Sequence, residues 1–141
     1  MSPLFSAGEL LPYNDYIKER FFNFYDGLLS RIDVKYQSGG SITVAIDIIA
    51  KDASLASEAA RTNVKVIVKI VHEFKIMEGR HTTIQVLSQG LNVLHKDNLV
   101  AVEFGGLDEP GTIEKVRESE AFAIGEDIRI IVGDQFIHDN Q

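Results

Sequence analysis

Apolar and polar residues alternate with the period of a β-strand over much of this chain, and the longest such run is Asn63 to Ile76, N-V-K-V-I-V-K-I-V-H-E-F-K-I. Val64, Val66, Val68, Ile70, Phe74 and Ile76 recur at every second position, interrupted only by His72, while Lys65, Lys69, Glu73 and Lys75 fall between them. Successive side chains of a strand point to opposite faces, so the run predicts one long strand with a buried face. Ile67 and Val71 lie among the charged set, which leaves the outer face only partly polar. Val64, Ile67, Val68 and Val71 also fit helical spacing, but β-branched residues lose rotamer freedom in a helix and pack well on a pleated surface. The run is therefore read as a central antiparallel strand.

The same alternation predicts a strand over 28–36 and another over 42–48, joined through Gln37-Ser38-Gly39-Gly40-Ser41, where glycine supplies the positive φ that a hairpin needs. Pairing Tyr36 with Ile42 then sets Arg31 opposite Asp47 on the outer face, a contact worth about 0.2 to 1 kcal/mol. Ahead of the strands, Pro12 and Asn14 offer helix-start chemistry, and Tyr13, Ile17, Phe21 and Phe24 fall on one helical face, which predicts a helix sealing the sheet. Further strands are expected over 82–88, with Gly90 breaking it, over 91–94 as its continuation past a kink, and over 99–104, with a turn at His95-Lys96-Asp97-Asn98 and a loop over 105–111. Residues 121–124 and 128–132 flank Gly125-Glu126-Asp127 and read as a terminal hairpin. Stretches 51–62 and 112–120 leave helix, strand and loop open.

These elements add up to a mainly β (α+β) chain: an antiparallel sheet of about six or seven strands, curled or sandwich-like, with one N-terminal helix packed on it. Length sets one domain over 1–141, with residues 1–11 an irregular N-terminal segment and 134–141 a frayed tail. There is no cysteine, hence no disulfide and no thiolate metal site. Nothing resembles a signal peptide or a membrane span, so a cytoplasmic protein is expected, and a formal net charge of −7 disfavours nucleic acid and anionic membranes as partners while leaving room for a local basic patch.

Candidate chemistry is sparse. His72, His81, His95 and His138 sit in separate elements without metal-ligand spacing, and His72 is read as a hydrogen-bonded core histidine. His72 and Glu73 are adjacent on a strand and so face opposite ways. No phosphate-binding glycine loop is present, and neither Ser88 nor Ser119 has the surround of an activated nucleophile. No catalytic, cofactor-binding or metal-binding residue is assigned, and no cofactor is expected. The acidic positions Asp108, Glu109, Glu114, Glu118, Glu120, Glu126 and Asp127 are read as a solvated surface.

The aromatic segment Phe21 to Tyr25, then Asp26-Gly27-Leu28-Leu29 opening Ile32-Asp33-Val34, a glycine hairpin and a long strand ending in an aromatic together resemble the layout of small bacterial proteins that include immunity-type proteins of toxin systems. Tyr25 stands where that layout has a histidine. The resemblance covers about half the chain by pattern, and it implies action by binding rather than catalysis. The expected function is a non-catalytic protein-interaction module, immunity-like or self-associating as a homo-oligomer, with Leu4, Phe5, Leu10, Leu11, Ile67 and Val71 as its interaction surface and Ile49 beside them. The alternative is a small-ligand or enzymatic β-cup with His72 in its lining beneath the N-terminal helix.

Overall fold

The computed structural model describes residues 10–55, 60–77 and 85–137, residues 134–137 by backbone alone. Strands run β1 (Leu10–Pro12), β2 (Gly27–Tyr36), β3 (Ile42–Lys51), β4 (Ala60–Lys69), β5 (Glu73–Ile76), β6 (Val86–Leu87), β7 (Asn92–Lys96), β8 (Leu99–Glu103), β9 (Ala121–Gly125) and β10 (Asp127–Ile137), with short helices α1 (Asp15–Arg20) and α2 (Ile113–Val116). Among the described residues the structure is mainly β, 54% strand and 12% helical. Every ladder among the described residues is antiparallel, as the alternation predicts, but these strands divide into two sheets: six in the order β1-β10-β4-β3-β2-β6, and four in the order β5-β9-β8-β7.

The β2–β3 hairpin forms in the expected register, Tyr36 opposite Ile42 and Arg31 opposite Asp47. The two charges nevertheless choose other neighbours, Arg31 its own-strand Asp33 at 2.9 Å and Asp47 the Lys65 ammonium at 3.8 Å. A register shift between Leu29 and Arg31 adds a bulge to β2.

The run 63–76 is two strands rather than one. Ile70 takes φ +53°, which a β-branched residue rarely adopts, and the chain leaves the first sheet there. Val71 N–H then donates to Ile42 O (2.8 Å) and His72 N–H to Ile124 O (2.7 Å), so β5 starts in the second sheet. The predicted facing holds through Val68, with Val64, Val66 and Val68 at most 2% exposed, and inverts past the break, where Ile70 is exposed and Val71 buried.

The predicted terminal hairpin is the mirror of this passage. β9 pairs with β5 and β8 in one sheet, whereas β10 pairs with β4 and β1 in the other. Gly125 lies at the crossing: a Cβ there would sit 2.6 Å from Lys69 O and 3.1 Å from Ile70 O, so only glycine lets the two passages run side by side. β10 then continues to Ile137, pairing residues 135–137 with 60–62, so residues 134–137 are strand and not a frayed tail, and 138–141 lie outside the described residues.

The aromatic face of the N-terminal helix is correct but the helix is shorter. Asn14 Oδ1 caps α1 by accepting from Ile17 N–H (3.0 Å), and after Arg20 the chain turns through Phe22, Asn23 and Phe24 at φ 54°, 53° and 62°. That turn tucks Phe24 beneath Phe21, ring centroids 5.5 Å apart, and both join Ile17 in full burial. The segment 112–120, left open by its sequence, begins as α2 with Thr112 Oγ1 accepting from Lys115 N–H (3.1 Å). β6 holds only Val86–Leu87 of the strand expected over 82–88, whose first three residues are outside the described set, and His95 and Lys96 belong to β7 rather than to the turn.

Inner-face residues of both sheets, among them Val44, Ile46, Ile48, Val66 and Ile130 against Val100, Val102, Ala121 and Ala123, fill one core. On the far side of the four-stranded sheet, Ala101, Phe122 and Ile124 form a smaller cluster with Ile113 and Val116 of α2. The layers are thus helix, small sheet and large sheet. No described element covers the outer face of the large sheet.

Candidate protein-binding face

That face can be built strand by strand from the registers. Inward positions on β4 and β3 (Val64, Val66, Val68; Val44, Ile46, Ile48) fix the alternate ones outward. One row across the sheet runs Arg31, Asp47, Lys65, Ile131, Leu10; the next runs Asp33, Ala45, Ile67, Arg129, Pro12. Lys69 opposes Asp127 beyond them, and on the other side Leu28 and Ile49 lie beside Asn63, followed by Lys51 opposite Arg61. At the centre, Ile67 and Ile131 are half-buried among charged stems, while Leu10 is 50% exposed. Among the described side chains, each of the three carboxylates is held by a cation on the same face: Asp33 by Arg31, Asp47 by Lys65, Asp127 by Arg129 at 3.0 Å.

The structure therefore gathers two residues of the expected interaction surface, Leu10 and Ile67, with Ile131 between them, and places Ile49 in the adjoining row. It removes two others. Leu11 is paired with Ile130 and turned into the core at 5% exposure, and Val71 is 8% exposed because the passage at Ile70 inverts its face. Leu4 and Phe5 lie outside the described residues. Ile131 is not legible in the sequence, because a terminal hairpin over 121–132 gives its strand no neighbour on β4.

His72 is not a core residue. Its side chain is about half exposed, and Nε2 lies 2.8 Å from Glu126 Oε2, joining the two passages between sheets. Nor is it among the residues lining the groove that adjoins Glu126. That groove, of about 410 Å³, is lined by Tyr13, His95, Asp97, Glu126, Asp127 and Arg129 among others, and His72 reaches it only through Glu126. Burial, with the Asp15 charge adding to it, pushes the Tyr13 hydroxyl up to about 12, and that hydroxyl donates to Asn23 Oδ1 (3.1 Å). His81 and His138 lie outside the described residues, and among those described no three His, Asp or Glu side chains are arranged to hold a metal ion.

Two buried carboxylates went unnoticed in the sequence. Glu103, fully buried, accepts from Asn92 Nδ2 (2.6 Å), Ser119 Oγ (2.6 Å) and the backbone N–H groups of Gly105 and Leu107, which anchors the loop over 105–111. Asp52 accepts both Arg20 guanidinium donors together with Thr62 Oγ1 and Ser54. Burial alone would raise the Asp52 carboxyl, but the bonds from Arg20, Thr62 and Ser54 outweigh it and hold the group below its ordinary value. Both carboxylates have their partners inside the protein and serve the fold.

Comparison of the chain with protein-family models, curated proteins and solved structures found no match.

Proposed function

We propose that this chain is a non-catalytic protein-interaction module that receives its partner on the outer face of the six-stranded sheet. The observation that carries this reading is the apolar centre Leu10, Ile131 and Ile67, set in contiguous rows on a broad face that no described element covers. Apolar contacts surrounded by charged side chains are the anatomy of a protein interface, a desolvated middle inside a polar rim. A cytoplasmic, immunity-like protein neutralising a partner, or a chain docking on its own copy, are the two forms this activity takes. No helix among the described residues is long and apolar enough to cross a membrane.

Site-specific photo-crosslinking tests the reading. A crosslinker at Ile67 should yield a discrete protein adduct that Leu10→Ser combined with Ile131→Ser abolishes, and a crosslinker at the exposed Glu114 of α2 should not yield it. The same adduct from both positions would refute the face. Light scattering on a size-exclusion column separates the two forms, since self-docking makes the mass concentration-dependent. The small-ligand reading keeps one observation in its favour, the groove beside Tyr13 and His95, and a ligand there should shift the Tyr13 ultraviolet titration.

A further inference from the structure

The cations of this acidic chain are not spread evenly. Arg31, Lys35, Lys51, Arg61, Lys65, Lys69 and Arg129 all project from the outer face of the large sheet, half of the chain's 14 Lys and Arg. The same face carries only Asp33, Asp47 and Asp127 among its described side chains. Seven against three is a formal excess of four, and since the chain sums to −7, everything else amounts to −11. Protection of a sheet edge does not account for this, because Lys51, Arg61, Lys65 and Lys69 stand on β3 and β4, which are interior strands. Strand propensity does not either, since lysine is depleted in strands. Lys51 and Arg61 even face each other directly across the ladder, an arrangement that costs stability. Among the described residues, each carboxylate on the face is matched to one cation, and Lys35, Lys51 and Lys69 form no ion pair.

We infer that the surface received on this face is an acidic protein segment bearing apolar side chains, an inference that rests on the docking face proposed above. The complementarity is twofold: the cationic rows answer carboxylates, and Leu10, Ile131 and Ile67 answer apolar groups between them. A phosphate backbone would use the first and leave the second empty. A remainder of −11 also repels a long polyanion. Charge of this kind acts first on encounter, so association should be fast at low salt and slow as salt rises.

The test is selection of a random peptide library against the intact protein, with duplex DNA, single-stranded DNA and phosphatidylserine vesicles as parallel probes. Recovered peptides should be rich in Asp and Glu interspersed with Leu, Ile or Phe, and should bind roughly tenfold more weakly at physiological than at low salt. Lys35→Glu combined with Lys51→Glu brings the face from an excess of four to zero and replaces the like-charge pair opposite Arg61 by an opposite-charge one, so it should weaken the same peptides about tenfold or more without lowering the melting temperature. Recovery of no peptide, or preferential capture of DNA or vesicles, overturns the inference. So does an undiminished affinity of the charge-reversed protein. Neutral peptides that bind and are lost on Ile67→Asp would sink the acidic partner alone, whereas peptides indifferent to Ile67→Asp would sink the docking face itself.

Discussion

Replacing Asp52 by alanine should be among the most damaging single changes in this protein, and the size of the effect follows from what it orphans. The carboxylate, with no exposed side-chain surface, accepts five hydrogen bonds: Nε and Nη2 of Arg20 (2.9 and 3.0 Å), N–H and Oγ of Ser54 (2.9 and 2.7 Å), and Thr62 Oγ1 (2.6 Å). Arg20 is itself only 11% exposed at the side chain, so the variant leaves a nearly buried guanidinium without its counter-charge. Breaking a buried pair in this way costs about 3 to 5 kcal/mol. At about 2.1 cal/mol/K per residue, the unfolding entropy of a chain this long is roughly 0.3 kcal/mol/K, which converts the loss to a fall of about 10 to 17 °C in Tm. Arg20→Met with Asp52→Leu should lose much less than Asp52→Ala alone, because no unpaired charge remains. Arg117→Ala, which breaks the exposed bond to Glu73, should leave the melt nearly unmoved. The folded Asp52 carboxyl lies below its unfolded value near 3.9, so its contribution is present above that pH and lost as pH falls through the folded value. Thermal melts should therefore steepen in their pH dependence below about pH 4, and Asp52→Asn should remove that part of the slope. A fall of less than about 3 °C for Asp52→Ala would refute the claim that this knot joins α1 to the sheet.

Val68→Asp, at 2% exposure, should cost several kcal/mol in a urea melt, whereas the outward Lys65→Thr should change stability by no more than about 0.5 kcal/mol; equal losses would overturn the facing of β4. Gly90→Ala should destabilise by more than about 1 kcal/mol, because Gly90 has φ +70° and an added Cβ would lie 2.3 Å from Asn23 O; an unchanged chemical-denaturation midpoint would mean that the turn over 22–24 is not held there. Ultraviolet titration should find one tyrosine ionising near 12, absent in Tyr13→Phe; since its folded value is raised, the associated stability is full below about 10 and fades as pH climbs to 12.

Local patterning read the β2–β3 register from Arg31 to Tyr36 because a short glycine loop ties the two strands and side-chain alternation then leaves one pairing, but it did not show the bulge that turns Leu28 outward. It failed at 63–76 for a physical reason. The alternation keeps its phase through Ile70, but a change of sheet is decided by tertiary bonds, Val71 N–H to Ile42 O and His72 N–H to Ile124 O, that no local pattern encodes. The helix over 13–24 was misjudged in the opposite sense: burial of Ile17, Phe21 and Phe24 was legible, while the left-handed turn that achieves it depends on the distant Gly90. Of the proposed docking face, Ile67 was legible as an apolar residue at an outward strand position, and Leu10 only as part of an apolar, irregular N-terminal segment. The basic character of the face was not, because a net charge of −7 conceals an excess that appears only when alternate residues of three strands are laid side by side.

The paired passages at Ile70 to His72 and Gly125 to Asp127 bear on how the chain reaches this structure. Glu126 N–H bonds Lys69 O (3.0 Å) and His72 meets Glu126 across 54 residues of chain, so both strand changes close the same large loop. The hairpins β2–β3 and β7–β8 need only short loops and can form early, but neither sheet can be aligned on the other until that distant closure is made. Folding should therefore be slow for its length, and the rate-limiting barrier should include the crossing. Substitutions at Gly125 would slow folding, and so would those in the tip of the β7–β8 turn, because that hairpin is already formed at the barrier.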